Sequence, residues 1–214
     1  MRSSKILEMI NAGKIENLKV QLQDEIFEET LKRKPNAKKR YAAMKIYFTY
    51  VSSVRDALMK PCMIEFQGKD YASFTNSYSL VLTKESCGEI EMFDKDTGNY
   101  PDVTRLINFD GVERELDFDK IFAEAKSKGY KLKKSEVAGN GYLMYYEGTY
   151  YRLGLIEASY GIINDGEKAS VFHTPGDYKS RLVINNSLGV CLIMPVNYEM
   201  SPYDTTTIIE VEPE

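Results

Sequence analysis

One histidine, three cysteines and one short acidic run are the residues that could carry chemistry in this 214-residue chain. His173 stands beside the turn-forming Thr174-Pro175-Gly176. An imidazole works as a base only when a second group orients it and a nucleophile lies within reach. The sequence names no such partners, so His173 reads as a turn residue. Cys62, Cys87 and Cys191 are widely separated, and with a single histidine they give no zinc-ligand spacing. Their odd number and wide spacing suit reduced thiols in a cytoplasmic protein better than a disulfide framework. The run Asp94 to Asn99, DKDTGN, begins like a calcium loop. It lacks the fifth-position Asp or Asn followed by Gly and the Glu at the twelfth position, and so reads as a polar turn. Neither GxxxxGK[ST] nor GxGxxG occurs, so no phosphate cradle is visible. A non-catalytic protein without cofactor or metal is the expectation, with only carboxylate and tyrosine chemistry left open.

Composition agrees with a folded domain. Hydrophobic residues make up 43% and charged residues 28%, the balance of a soluble globular chain. No apolar run approaches the roughly 18 residues of a membrane span, and the N-terminal segment MRSSKILEMINAGK has no uninterrupted apolar core of a secretory signal. A net charge of -4 argues against coating nucleic acid with the whole surface, yet leaves room for one basic stripe. Sixteen tyrosines and no tryptophan suit half-buried sheet.

The elements follow from periodicity. Residues 1–34 read as one or two polar helices anchored by Ile6, Ile10, Ile15, Leu18 and Ile26. Pro35 breaks the pattern, and a stronger helix runs from about Tyr41 through Met44, Phe48 and Val51 to Leu58, with Pro61 as its stop. Strands CMIEF, DYASF and YSLVL come next, joined by Gln67-Gly68-Lys69 and Thr75-Asn76-Ser77. Residues 84–99 read as loop. A helix over about 117–128, a hairpin in GYLMYYEGTYY, a helix over about 153–163 and strands KASVF, RLVIN and GVCLIMP complete the chain. Helix then strands therefore occurs twice, with short turns that favour antiparallel sheet and an α+β class.

Three stretches resemble the bacterial DNA polymerase sliding clamp (β subunit) and its shorter phage and mobile-element relatives. ASFTNSYSLVL, Ala72 to Leu82, is similar to the family's strand ending in Ala-Thr-Asp-Gly-x-Arg-Leu, with Thr75 and Leu80 on its threonine and leucine; Asn76, Ser77 and Ser79 replace Asp, Gly and Arg. YPDVTRLI resembles the family's Phe/Tyr-Pro-Asp-Tyr-x-Arg-hydrophobic segment through Pro101, Asp102, Arg105 and Leu106. LIMPV, Leu192 to Val196, is similar to the closing strand that reads hydrophobic-hydrophobic-Met-Pro-Met. The chain is too short for the three domains of a full clamp, and eighteen residues follow Val196.

The resemblance implies a clamp-like α+β fold with antiparallel sheets and helices packed on one face. It divides the chain into a helical extension (1–35), two helix–strand units (36–107 and 108–197) and a tail (198–214). It also implies a hydrophobic pocket for short Gln-plus-Leu/Phe motifs of polymerases and other replication proteins, walled by Thr75, Leu80, Pro101, Leu106, Leu192, Met194, Pro195 and Val196. Double-stranded DNA would meet basic residues of the first strong helix, Lys34, Lys38, Lys39, Arg40 and Lys45, with Lys126, Lys128, Lys131, Lys133 and Lys134 as a second group. A ring would require self-association into a homo-oligomer. The alternative is a small interaction module, an inhibitor or adaptor of a mobile element, without a DNA role.

Overall fold

Pro35 offers no N–H to a continuing helix, and Asn36 takes a left-handed φ of 55°; together they separate the N-terminal helices from the body. The computed structural model describes residues 3–50, 58–96, 98–132, 141–199 and 205–212. Before the break lie α1 (Ser3–Asn11) and α2 (Ile15–Arg33), and after it α3 (Ala37–Tyr50). Leu18 is buried, and Phe27 of α2 meets Tyr41 of α3 edge-on at 5.0 Å. Leu7, Ile10, Ile15, Val20 and Ile26 are exposed along these two helices. The expected helix thus starts at Ala37; Val51 lies outside the described residues, and Leu58 is buried beyond them.

Seven strands form one sheet in the order β1-β2-β3-β9-β8-β7-β4, every pair antiparallel. They are β1 (Cys62–Phe66), β2 (Lys69–Thr75), β3 (Ser79–Thr83), β4 (Val112–Leu116), β7 (Ala169–His173), β8 (Leu182–Asn186) and β9 (Gly189–Ile193). A helix precedes each three-strand meander: α3 leads into β1-β2-β3, and α5 (Leu153–Ile163) leads into β7-β8-β9. The meanders join where β3 pairs with β9, Thr83 opposite Gly189 and Ser79 opposite Ile193. Gly189 is required there, because a Cβ would stand 2.0 Å from the Leu82 carbonyl oxygen.

The two sheet faces differ. Paired residues share a face, so Val81, Cys191, Ile184 and Val171 form one row that packs with α3 and α5 in the main core. α5 is apolar over most of its surface, as a helix largely enclosed by protein must be, with nine of its residues buried. A Cβ on Gly161 would only touch the Ala43 methyl at 3.4 Å, so these small residues let α3 and α5 approach closely. α4 (Phe118–Ser127), capped by Asp117, adds Phe118, Ile121 and Phe122 to the same core. The fold is therefore α+β, with α3, α4 and α5 on one face of an antiparallel sheet.

Two strands carry no local sequence signal. β4, VEREL, shows no apolar alternation because it is an edge strand, exposed at four of five positions. Residues Thr207–Val211 of the expected tail form β10, which pairs in parallel with β5 (Tyr142–Tyr146). β5 and β6 (Thr149–Arg152) make the hairpin of the resulting three-stranded sheet.

Candidate peptide-binding face and basic helix

The turn between β2 and β3 is built from side chains. The Asn76 amide oxygen accepts from the Tyr78 and Ser79 N–H groups at 3.0 and 2.8 Å. Thr75 donates its hydroxyl to the Ser79 carbonyl at 2.9 Å, and Ser77 adopts φ 78°. Thr75 and Asn76 are buried and shape this turn. From it runs a lateral row, Thr75 opposite Leu80, Leu80 opposite Leu192, Leu192 opposite Val183, on the sheet face away from the helices.

Residues 100–109 cross that face. Val103 and Ile107 pack with Leu80, Leu82, Val190 and Leu192 in a second core cluster. The strap is pinned at one end by Tyr100, whose hydroxyl lies 3.2 Å from Ser73; burial pushes that phenol up to about 12. Near the other end the Arg181 guanidinium donates to the Leu106 carbonyl at 2.8 Å. Asp102 accepts from the Thr104 hydroxyl at 2.7 Å and pairs with Arg105 at 2.8 Å. The Thr104 hydroxyl first, and Arg105 after it, hold its carboxyl below the usual carboxylate range.

β9 then leaves the large sheet. The Met194 N–H donates to the Tyr78 carbonyl at 2.9 Å, and the Val196 N–H donates to Tyr150 of β6 at 2.8 Å. Pro195, with no donor to satisfy, stands where the backbone changes from one sheet to the other. The eight residues expected around a pocket thus divide. Thr75, Leu80 and Leu192 are buried in the sheet, whereas Pro101, Leu106 and Met194 are exposed and Pro195 and Val196 half-buried. Tyr78, exposed and with the Arg152 guanidinium 5.8 Å from its ring, adjoins Met194 and was not anticipated.

The basic helix divides as well. Lys38, Lys39 and Lys45 are exposed, with the Lys45 ammonium 4.4 Å from the Tyr41 ring centre. Lys34 pairs with Glu85 at 2.9 Å. Arg40 corrects the expectation of a phosphate contact. It is buried, donates to the carbonyls of Pro35 at 2.6 Å and Asn164 at 3.0 Å, and faces Glu85 at 3.5 Å. It ties the start of α3 to the end of α5. Lys126 pairs with Glu157 and Lys128 with Glu124, while Lys133 and Lys134 lie outside the described residues. An open trough of about 590 Å³ between α3, α4 and α5 is lined by Lys39, Ile46, Tyr50, Phe122 and Lys126 among others.

His173 does have partners. Its Nδ1 lies 3.4 Å from Glu147 and its Nε2 lies 3.2 Å from the Thr149 hydroxyl. No sequence signal linked them, since Glu147 lies in the β5–β6 turn and Thr149 at the start of β6, both far along the chain from His173. His173 and Thr149 are buried, and Thr149 gives its proton to the Asp177 carbonyl at 3.0 Å, so its hydroxyl is not offered as a nucleophile. The cysteines are unpaired; burial pushes the Cys87 thiol up to about 11 and holds the Cys191 thiol well above its ordinary range. Among the described residues no group of three or more His, Cys, Asp and Glu could hold a metal ion, and no helix is long and apolar enough to cross a membrane.

No protein-family model matches the chain, and no curated protein matches it in sequence. Among solved structures it is similar to the DNA polymerase sliding clamp from Bacillus subtilis, at 15% identity and a TM-score of 0.48. That likeness covers 77% of this chain and 63% of the other, so the chain spans less than two thirds of the clamp's length.

Proposed function

We propose that this protein is a non-catalytic binding protein of sliding-clamp type, which takes a short apolar peptide of a replication protein on the face around Met194. The observation that carries this reading is the convergence of three segments distant in sequence. The β2–β3 turn, the 100–109 strap and the end of β9 meet on one sheet face, joined by the Leu80–Leu192 pairing, the packing of Val103 and Ile107, and the hydrogen bond from Met194 to Tyr78. Methionine, proline and tyrosine at a strand end offer adaptable apolar contact at little entropic cost.

Titration calorimetry with a peptide carrying Gln and Leu/Phe anchors tests it. Met194→Ala should weaken binding about tenfold or more, the loss of a central apolar anchor, while the thermal midpoint stays near that of the parent. No heat of binding to the parent protein, or equal affinity in the variant, refutes the reading. On the same proposal Lys38, Lys39 and Lys45 face duplex phosphates within a self-associated ring. A second reading, an interaction module without DNA contact, draws support from the internal engagement of Arg40 and Lys34.

A further inference from the structure

The His173 cluster joins two sheets, and its hydrogen bonds fix which nitrogen carries the proton of the neutral ring. The Thr149 hydroxyl donates to the Asp177 carbonyl, so toward His173 it can only accept. Nε2 must therefore carry the proton of the neutral ring, and Nδ1 is left as a bare lone pair. That lone pair meets Glu147 Oε2 at 3.4 Å, and both atoms are buried without a hydrogen-bond partner. Around them stand Arg114 of β4, 4.0 Å from the other Glu147 oxygen, Asp177 in the 174–180 turn, and the Tyr146 and Tyr151 rings at 5.4 and 6.0 Å. The backbone is engaged at the same place: Gly176 donates its N–H to the Glu147 carbonyl at 3.0 Å, and Glu147 is held at φ 45°.

We propose that His173 and Glu147 form a proton-operated latch, which docks the β5–β6 turn on the end of β7 while the imidazole is neutral and releases it in mild acid. The closed turn buries the ring. The open turn wets the ring, and water favours the charged imidazolium, so the ring binds a proton preferentially in the open form and pulls the equilibrium toward it. Burial holds the imidazole below its ordinary 6.5, and the Glu147 carboxylate, the larger of the opposing influences, acts in the other direction. The docking is therefore complete above pH 6.5 and weakens as pH falls below it.

His173 is the only histidine in the sequence, so its ring proton gives a single NMR signal whose titration needs no assignment. A midpoint below 6.5 that falls further in Glu147→Gln is expected. Amide-exchange protection at Gly176 should fall with acid, by up to about tenfold per pH unit below 6.5, and His173→Gln should flatten that dependence. A midpoint at or above 6.5, protection that does not change with pH, or the same dependence in His173→Gln overturns the proposal. The titration and exchange of the parent protein decide it even where the variants fail to fold.

Discussion

Replacing Leu192 with alanine separates core from contact surface among the residues that the clamp resemblance singles out. Leu192 is 2% exposed, sits between Leu80 and Val183 in the lateral row, and lies beneath Val103 and Ile107 of the strap. Truncation removes most of a buried side chain from a site closed on both flanks by neighbouring strands, so little collapse can follow. Such a change costs about 3 kcal/mol, within the usual 2–5 kcal/mol for buried leucine. With a urea slope of about 2.5 kcal/mol per molar for a chain of this size, the unfolding midpoint should fall by about 1.2 M, read by circular dichroism. Met194→Ala, at a position 37% exposed, should move it by no more than about 0.2 M. A Leu192→Ala shift under about 0.4 M, or equal shifts for both variants, would refute the assignment of Leu192 to the core.

Two further changes address how the sheet and its helices are held. Gly189→Ala places a methyl 2.0 Å from the Leu82 carbonyl oxygen, so β3 and β9 must separate locally; the loss should exceed about 3 kcal/mol, seen as a large drop in thermal midpoint. Asp117→Ala removes the carboxylate that accepts from the Lys120 N–H at 2.9 Å at the head of α4, and should cost about 1 kcal/mol in the same melt.

Most of the fold is legible in the residues because apolar spacing and turn chemistry agree. Strands ending in Gln67-Gly68 and Asn186-Ser187, and α5 with its mostly apolar sequence, follow from local pattern alone. What escaped depends on partners far along the chain. VEREL becomes β4 only because β7 offers an edge, and Thr207–Val211 becomes β10 only because β5 does. The candidate site was legible as a set of segments but not as a surface. Alternation along β9 places Leu192 and Met194 on the same side, yet nothing local reveals that the strap buries one and leaves the other open. The fate of Arg40 was equally hidden, since two of its anchors, Asn164 and Glu85, come from other elements.

The union of β3 with β9 has a consequence for synthesis. β3 is buried at all five positions, but its partner strand lies about a hundred residues further along the chain. At about five to twenty residues per second, the N-terminal meander waits about 5–20 s beside the ribosome with one apolar edge unpaired. An open edge of that composition invites pairing with neighbouring chains. Soluble yield should therefore improve when elongation through residues 84–188 is fast, or when a chaperone occupies the edge of β3 during that interval.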